Sequence, residues 1–230
     1  MSSHTSSCSW LKTYLSSSVG KKQLMAISGL GLTGFTVGHL AGNFLIYVGP
    51  EAFNTYGHKL TSNPLIYGAE AGLMVLFLMH LGLALRLTIE NNAARPQKYF
   101  MKVKTGRGGT FASSSMIYTG LIMFLFIISH LLHFKFGAFY EIDHSGVHMR
   151  DIYRLVMEAF QNPGYVAWYV ISMIAIGIHL SHGIQSTFQS LGVNHPKYTP
   201  FIKKVGDVSA IFIAIGFSSI PLWAYFQGVK

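Results

Sequence analysis

Residues 165–188 read YVAWYVISMIAIGIHLSHGIQSTF, a run with no Lys, Arg, Asp or Glu and with two histidines, His179 and His182. A helix of about 20 apolar residues crosses the ~30 Å hydrocarbon core of a bilayer. This run is long enough to do so, and it places titratable imidazoles in that core. Four more stretches share its character: 23–48, 66–85, 111–134 and 208–229. The only carboxylate within any of the five is Glu70, near one end. A soluble helical core would need a polar face on most of its helices, and these segments have none. The expectation is an all-α integral membrane protein with five spanning helices. The first four would form a bundle, and residues 1–230 would make a single membrane domain.

Composition agrees. Half of the 230 residues are hydrophobic and only 11% are charged, against about 25% in an average soluble domain. The balance is basic, 17 Lys and Arg against 8 Asp and Glu, a formal +9. The Ser-rich first 18 residues lack the apolar run of a signal peptide. With the N-terminus inside, 12 of the positive residues fall on inner segments and 5 on outer ones. The positive-inside rule then favours N-in, C-out, and the charge calls for no nucleic acid. The single cysteine, Cys8, excludes an internal disulfide and any four-cysteine iron–sulfur site in this chain.

Two outer connections carry helical signals. Ile152, Leu155, Val156, Ala159 and Phe160 recur at helical spacing before Asn162-Pro163-Gly164, and a second short helix is expected within 51–63. The inner loop 90–110 is basic, with Arg107-Gly108-Gly109 near its end.

Histidine is the unusual abundance: 11 residues, more than all the acids together. Six lie in spanning segments, namely His39, His80, His130, His133, His179 and His182. Intramembrane ionisable groups are costly and mark functional sites; the plain alternative for any one is an interhelical hydrogen bond. Depth separates the two. At 1.5 Å per residue, His39 lies roughly 12 Å below Tyr47 and His130 roughly 10 Å below Gly137. His80 lies roughly 20 Å below Tyr67 and His179 roughly 21 Å below Tyr165. The outer pair is therefore His39 with His130, and the inner pair His80 with His179. Two such layers fit two b-type haems, each iron taking two imidazoles and so carrying electrons rather than activating oxygen.

A porphyrin needs small residues where it passes the backbone. Gly34, Gly38 and Gly42 share one face of the first segment, although small residues equally serve helix packing. His133 and His182 follow their neighbours by three residues and read as hydrogen-bond partners for propionates, quinone or backbone. Arg86, Ser181 and Gln185 are further propionate candidates; Arg86 also reads as a snorkelling anchor. Glu70, with Glu51 and His58 in the adjoining loop, could serve a quinone as proton acceptors or hydrogen-bond partners. A histidine-bearing, haem-free transporter or channel is a competing class. It would usually add intramembrane carboxylates, and Glu70 is the only one.

The ordered set Gly38-His39-Leu40, Met79-His80, Ser129-His130 and Ile178-His179-Leu180-Ser181-His182-Gly183 resembles the five-helix, dihaem cytochrome b subunit of succinate:quinone oxidoreductases. Glu51-Ala52-Phe53-Asn54 and Asn63-Pro64-Leu65 add to the resemblance, which runs from about residue 21 to 227. It implies a bacterial inner-membrane, multi-pass anchor and electron carrier, not catalytic alone towards succinate or fumarate. Its partners would be a flavoprotein and an iron–sulfur subunit on the cytoplasmic side, a menaquinone-type quinone and membrane lipid, with a dimer of the whole complex allowed. The fifth helix would pack outside the haem core. Some relatives carry a proton-relaying acid in the fourth helix; here no acid lies between Glu158 and Asp207. A dihaem cytochrome b of a hydrogenase or formate dehydrogenase is the neighbouring alternative.

Overall fold

A computed structural model describes residues 9–94 and 111–228. The basic segment Arg95–Arg107 and Cys8 lie outside the described residues. Among the described residues, five long helices are each apolar and long enough to span a bilayer. They are α2 (Ser18–Asn43), α4 (Leu65–Ala93), α5 (Phe111–His130), α7 (Pro163–Ser190) and α8 (Thr199–Gln227). Val75, Ile89, Leu121, Ile211 and Phe226 are more than half exposed on them. A belt of that kind is untenable in water and ordinary against lipid. The protein is an all-α integral membrane protein.

Local chemistry sets the ends. Ser17 precedes α2 and its hydroxyl accepts from Gly20 N at 3.1 Å. Asn162 caps α7, taking Gly164 N at 2.8 Å, with Pro163 in the first helical position. Both satisfy amides that a helix start leaves free. α2 runs on into a 3₁₀ turn, Phe44–Tyr47. α5 ends in a π turn, Leu131–Lys135, closed by Phe136 N donating to Leu131 O at 2.9 Å.

Helix α2 packs against α4 and α7, and α5 against α7. α8 lies along α7 and touches α2. Small residues bring α7 and α8 close: a Cβ on Gly177 would stand 3.0 Å from Ala214, and one on Gly206 3.2 Å from Ile184.

One end of the bundle carries a cap. Both short helices expected there form, as α3 (Pro50–Thr61) and α6 (Ile152–Ala159). Asn54 joins them, 2% exposed: its amide donates to Asp151 Oδ1 at 2.8 Å, and its carbonyl accepts from Tyr153 N at 2.9 Å. A core of Ile46, Phe53, Phe126, Phe160, Tyr169 and Ile220 fills the space beneath.

Two elements were not expected. Helix α1 (Ser9–Ser16) precedes α2. An antiparallel hairpin, β1 (Glu141–His144) and β2 (Val147–Arg150), leads into α6. Its two turn residues, Ser145 and Gly146, both have positive φ, the backbone of the tight turn that fits the twist of a hairpin. Arg150 then reaches back to the carbonyls of Lys135 and Ala138, at 3.3 and 3.0 Å.

Candidate paired-histidine site

The rings of His39, on α2, and His130, on α5, meet with centroids 5.8 Å apart and planes at 87°. Those of His80, on α4, and His179, on α7, stand 6.4 Å apart at 63°. The four histidines thus form the two pairs that their depths predict, each bridging helices that do not adjoin in sequence. An imidazole nitrogen binds a first-row metal at about 2.0–2.1 Å. Either spacing leaves room for one metal atom between two rings. Among the described residues, no three His, Cys, Asp or Glu side chains converge. Each pair offers two donors, a set suited to a metal whose remaining positions a macrocycle fills.

The surroundings of the pairs differ. Phe35 stacks on His39 at 5.4 Å and Phe217 of α8 lies 5.8 Å away. Helix α8 therefore reaches the first pair with one aromatic side chain, despite lacking histidine. His130 is enclosed by Phe126, Phe134 and Tyr169. Its Nδ1 is buried and has no hydrogen-bond partner among the described residues. In the second pair both Nδ1 atoms are held. His80 Nδ1 lies 3.2 Å from Ser28 Oγ, and His179 Nδ1 lies 3.1 Å from Thr119 Oγ1.

The glycines divide. A Cβ on Gly34, Gly38, Gly82 or Gly183 would meet nothing within 4 Å. Space beside the backbone is what a porphyrin edge requires. Gly42 instead packs against Tyr56, and Gly31 against Leu76, at 2.6 and 2.9 Å from a built Cβ. The shared face of Gly34, Gly38 and Gly42 is thus open at two positions and a helix contact at the third.

Most of the remaining candidates are already engaged. His133, on the π turn, places Nδ1 3.2 Å from the Tyr169 hydroxyl and packs 4.3 Å from the Tyr165 ring. Ser181 donates to Ile178 O at 2.9 Å. His182 makes no hydrogen bond among the described residues, and Gln185 lines a small cavity of about 90 Å³ with Phe188 and Asn194. Arg86 Nε donates to Glu90 at 3.0 Å, and Glu90 also pairs with Lys21, which is only 5% exposed. The plain reading of Arg86 as an anchor gains a partner that sequence reasoning missed. Glu70 pairs with Lys135 across α4 and the π turn. Glu51 Oε1 lies 2.7 Å from His144 Nε2, bringing α3 against the hairpin. His58 is half-buried on α3.

Sequence reasoning also missed Ser28 and Thr119. The signal was present: Ser28-Gly29 precedes His39, and Thr119-Gly120 precedes His130, by the same eleven residues.

The chain is 23% identical over 209 residues to the succinate dehydrogenase cytochrome b558 subunit of Bacillus subtilis. The alignment covers 90% of this chain and 93% of that protein. No protein-family profile and no solved structure matches it. The similarity agrees with the resemblance carried by the histidine motifs.

Proposed function

We propose that the chain is the membrane-anchor and electron-carrying subunit of a bacterial succinate:quinone oxidoreductase. His39 and His130 hold one b haem, and His80 and His179 a second. The observation that carries this reading is the pair of imidazole constellations at two depths. On α2, Ser28 touches the second pair and His39 belongs to the first, eleven residues or about 16 Å apart. Thr119 and His130 repeat that distance on α5. The Bacillus subtilis relative, named a succinate dehydrogenase cytochrome b558 subunit, favours this reading over hydrogenase and formate dehydrogenase cytochromes.

A b haem, when bound, supplies reversible one-electron chemistry at its iron. His39 with His130, and His80 with His179, would hold the two irons, and a haem so held would carry electrons rather than activate oxygen. Phe35, Phe126 and Phe217 exclude water from the first pair. Gly34, Gly38, Gly82 and Gly183 leave the space that the macrocycles occupy. Two stations about 16 Å apart divide a ~30 Å core that is long for a single electron transfer.

The end bearing Lys21, Arg86 and Glu90 faces the cytoplasm in this reading and meets the iron–sulfur and flavoprotein subunits. A menaquinone-type quinone reacts at the capped end. Glu70, Glu51 and His58 are the proton-handling groups there, with Lys135 and His144 holding the two carboxylates in place. Purified protein should show reduced b-type bands at two haems per chain, together with co-purified flavin. Absence of b-type bands would overturn the proposal.

A further inference from the structure

Helices α2 and α5 share a device that the ligand assignment does not use. Each carries a hydroxyl residue followed by glycine, and a histidine eleven residues after the hydroxyl. Eleven residues are close to three turns at 3.6 per turn, so hydroxyl and histidine share one helix face. The histidine of each helix joins the first pair. The hydroxyl and glycine of each helix serve the second. Ser28 and Gly29 meet His80, and Thr119 and Gly120 meet His179: a Cβ would stand 3.1 Å from His80 Cε1 at Gly29, and 3.7 Å from His179 Cε1 at Gly120.

The hydrogen-bond count fixes the roles. A serine or threonine hydroxyl has one proton to give. Ser28 gives its proton to Met25 O at 3.0 Å, and Thr119 gives its proton to Ser115 O or Met116 O, both at 3.1 Å. Each oxygen is then left as an acceptor for an imidazole. His80 Nδ1–H donates to Ser28 Oγ and His179 Nδ1–H to Thr119 Oγ1. Each Nε2 lone pair is thereby freed for a metal. Ser28 is fully buried and Thr119 is 4% exposed, so water does not compete. The first pair has no such support: His130 Nδ1 is orphaned, and the His39 ring makes no hydrogen bond among the described residues.

We propose that Ser28 and Thr119 are positioning residues that hold His80 and His179 as Nδ1–H tautomers and set how strongly their Nε2 atoms donate to iron. That haem is thereby tuned separately from the one between His39 and His130. The inference rests on the haem reading above. A hydrogen bond at the far nitrogen makes an imidazole a stronger donor, and a stronger donor favours ferric iron and lowers the potential.

The test is a redox titration of the intact complex carrying Thr119→Val, repeated in a His39→Ala background that leaves the His80–His179 haem alone. The expected result is a rise for that haem of about tenfold in its ferric/ferrous equilibrium, about 59 mV for one electron. Its low-spin paramagnetic resonance signal should move while the other haem's stays. Ser28→Ala should shift the same haem upward as well, and Thr119→Ser should restore the starting value. Unchanged potentials with both haems present would overturn the inference, as would equal shifts in both or a Thr119→Ser value equal to that of Thr119→Val. If Thr119→Val fails to assemble, Ser28→Ala carries the test, and no shift there overturns it. A wild-type chain without b-type bands would instead remove the haem reading itself.

Discussion

Thr119 Oγ1 lies 3.1 Å from His179 Nδ1, joining the middle of α5 to the far half of α7. Ser28 stands in the same relation to His80, joining α2 to α4. Each helix that supplies a histidine to the first pair, α2 or α5, therefore supplies a hydroxyl to the second. The two layers are supported by the same two helices but contacted by different chemistry. One layer is wrapped in aromatic rings, and the other is held by hydroxyl groups.

The pairs should be separable by mutation. His39→Ala leaves His130 without its opposite ring but does not touch Ser28, Thr119, His80 or His179. The expected outcome is loss of one haem per chain, with the remaining haem titrating at its wild-type potential. His179→Ala should remove the other. Haem quantification on purified protein checks both, and loss of both haems from a normally assembled chain would contradict the layer assignment.

The five spans and the pairing of the four histidines were legible in the sequence, because hydrocarbon thickness and helical rise fix both. The capping helix α6 was legible from the apolar spacing of Ile152, Leu155, Val156, Ala159 and Phe160, whereas α3 was expected without a pattern of its own. The hairpin was not: its strands are four residues each, too short for alternation to stand out, and only Ser145-Gly146 marks the turn. Ser28 and Thr119 were hidden for another reason. A hydroxyl in a membrane helix usually bonds a carbonyl three or four residues back, as both do here, so it looks self-satisfied. Only the repeated eleven-residue spacing to a histidine sets them apart. The engagement of Glu70 with Lys135 and Glu51 with His144 required the fold, since each partner lies more than 60 residues away.

Gly38 and Gly31 should respond differently to a larger side chain. Gly38 borders open space next to His39, while Gly31 already faces Leu76 at 2.9 Å from a built Cβ. Gly38→Leu should leave the helices assembled and lower haem occupancy at the His39–His130 pair. Gly31→Leu should push α2 from α4, at a cost of about 1–3 kcal/mol for overpacking. Haem content against thermal stability in detergent distinguishes the two, and normal haem content in Gly38→Leu would count against the cradle.

Asn54 holds the cap together through two buried hydrogen bonds, to Asp151 and to Tyr153 N. Asn54→Ala strands the Tyr153 N–H, while Asp151 Oδ1 keeps Arg154 N as a donor at 3.0 Å; the group left unsatisfied should cost about 1–3 kcal/mol. The expected outcome is earlier proteolysis of residues 141–160 with both haem signals retained. Protection equal to wild type would show that α3 and α6 are held by the apolar core alone.

The cap should also loosen in acid. Tyr140 donates to Glu158 at 2.6 Å and Arg154 at 2.7 Å, and these bonds hold the Glu158 carboxyl below its ordinary value of 4.5. A carboxylate whose pKa is depressed on folding adds stability that is complete above its unfolded value and disappears as pH falls through the folded one. The same contacts push the Tyr140 hydroxyl above its ordinary value of 10.0, with the Glu158 bond as the main cause. That contribution is complete below the unfolded value and disappears only as pH rises through the folded one. Between these limits the attachment of α6 to the chain before β1 should be insensitive to pH. Amide protection factors over residues 140–158 should fall as pH is lowered from 4.5, and Glu158→Gln should flatten that dependence. A wild-type profile that stays level down through the acid range would show that the Tyr140–Glu158–Arg154 group does not hold this segment.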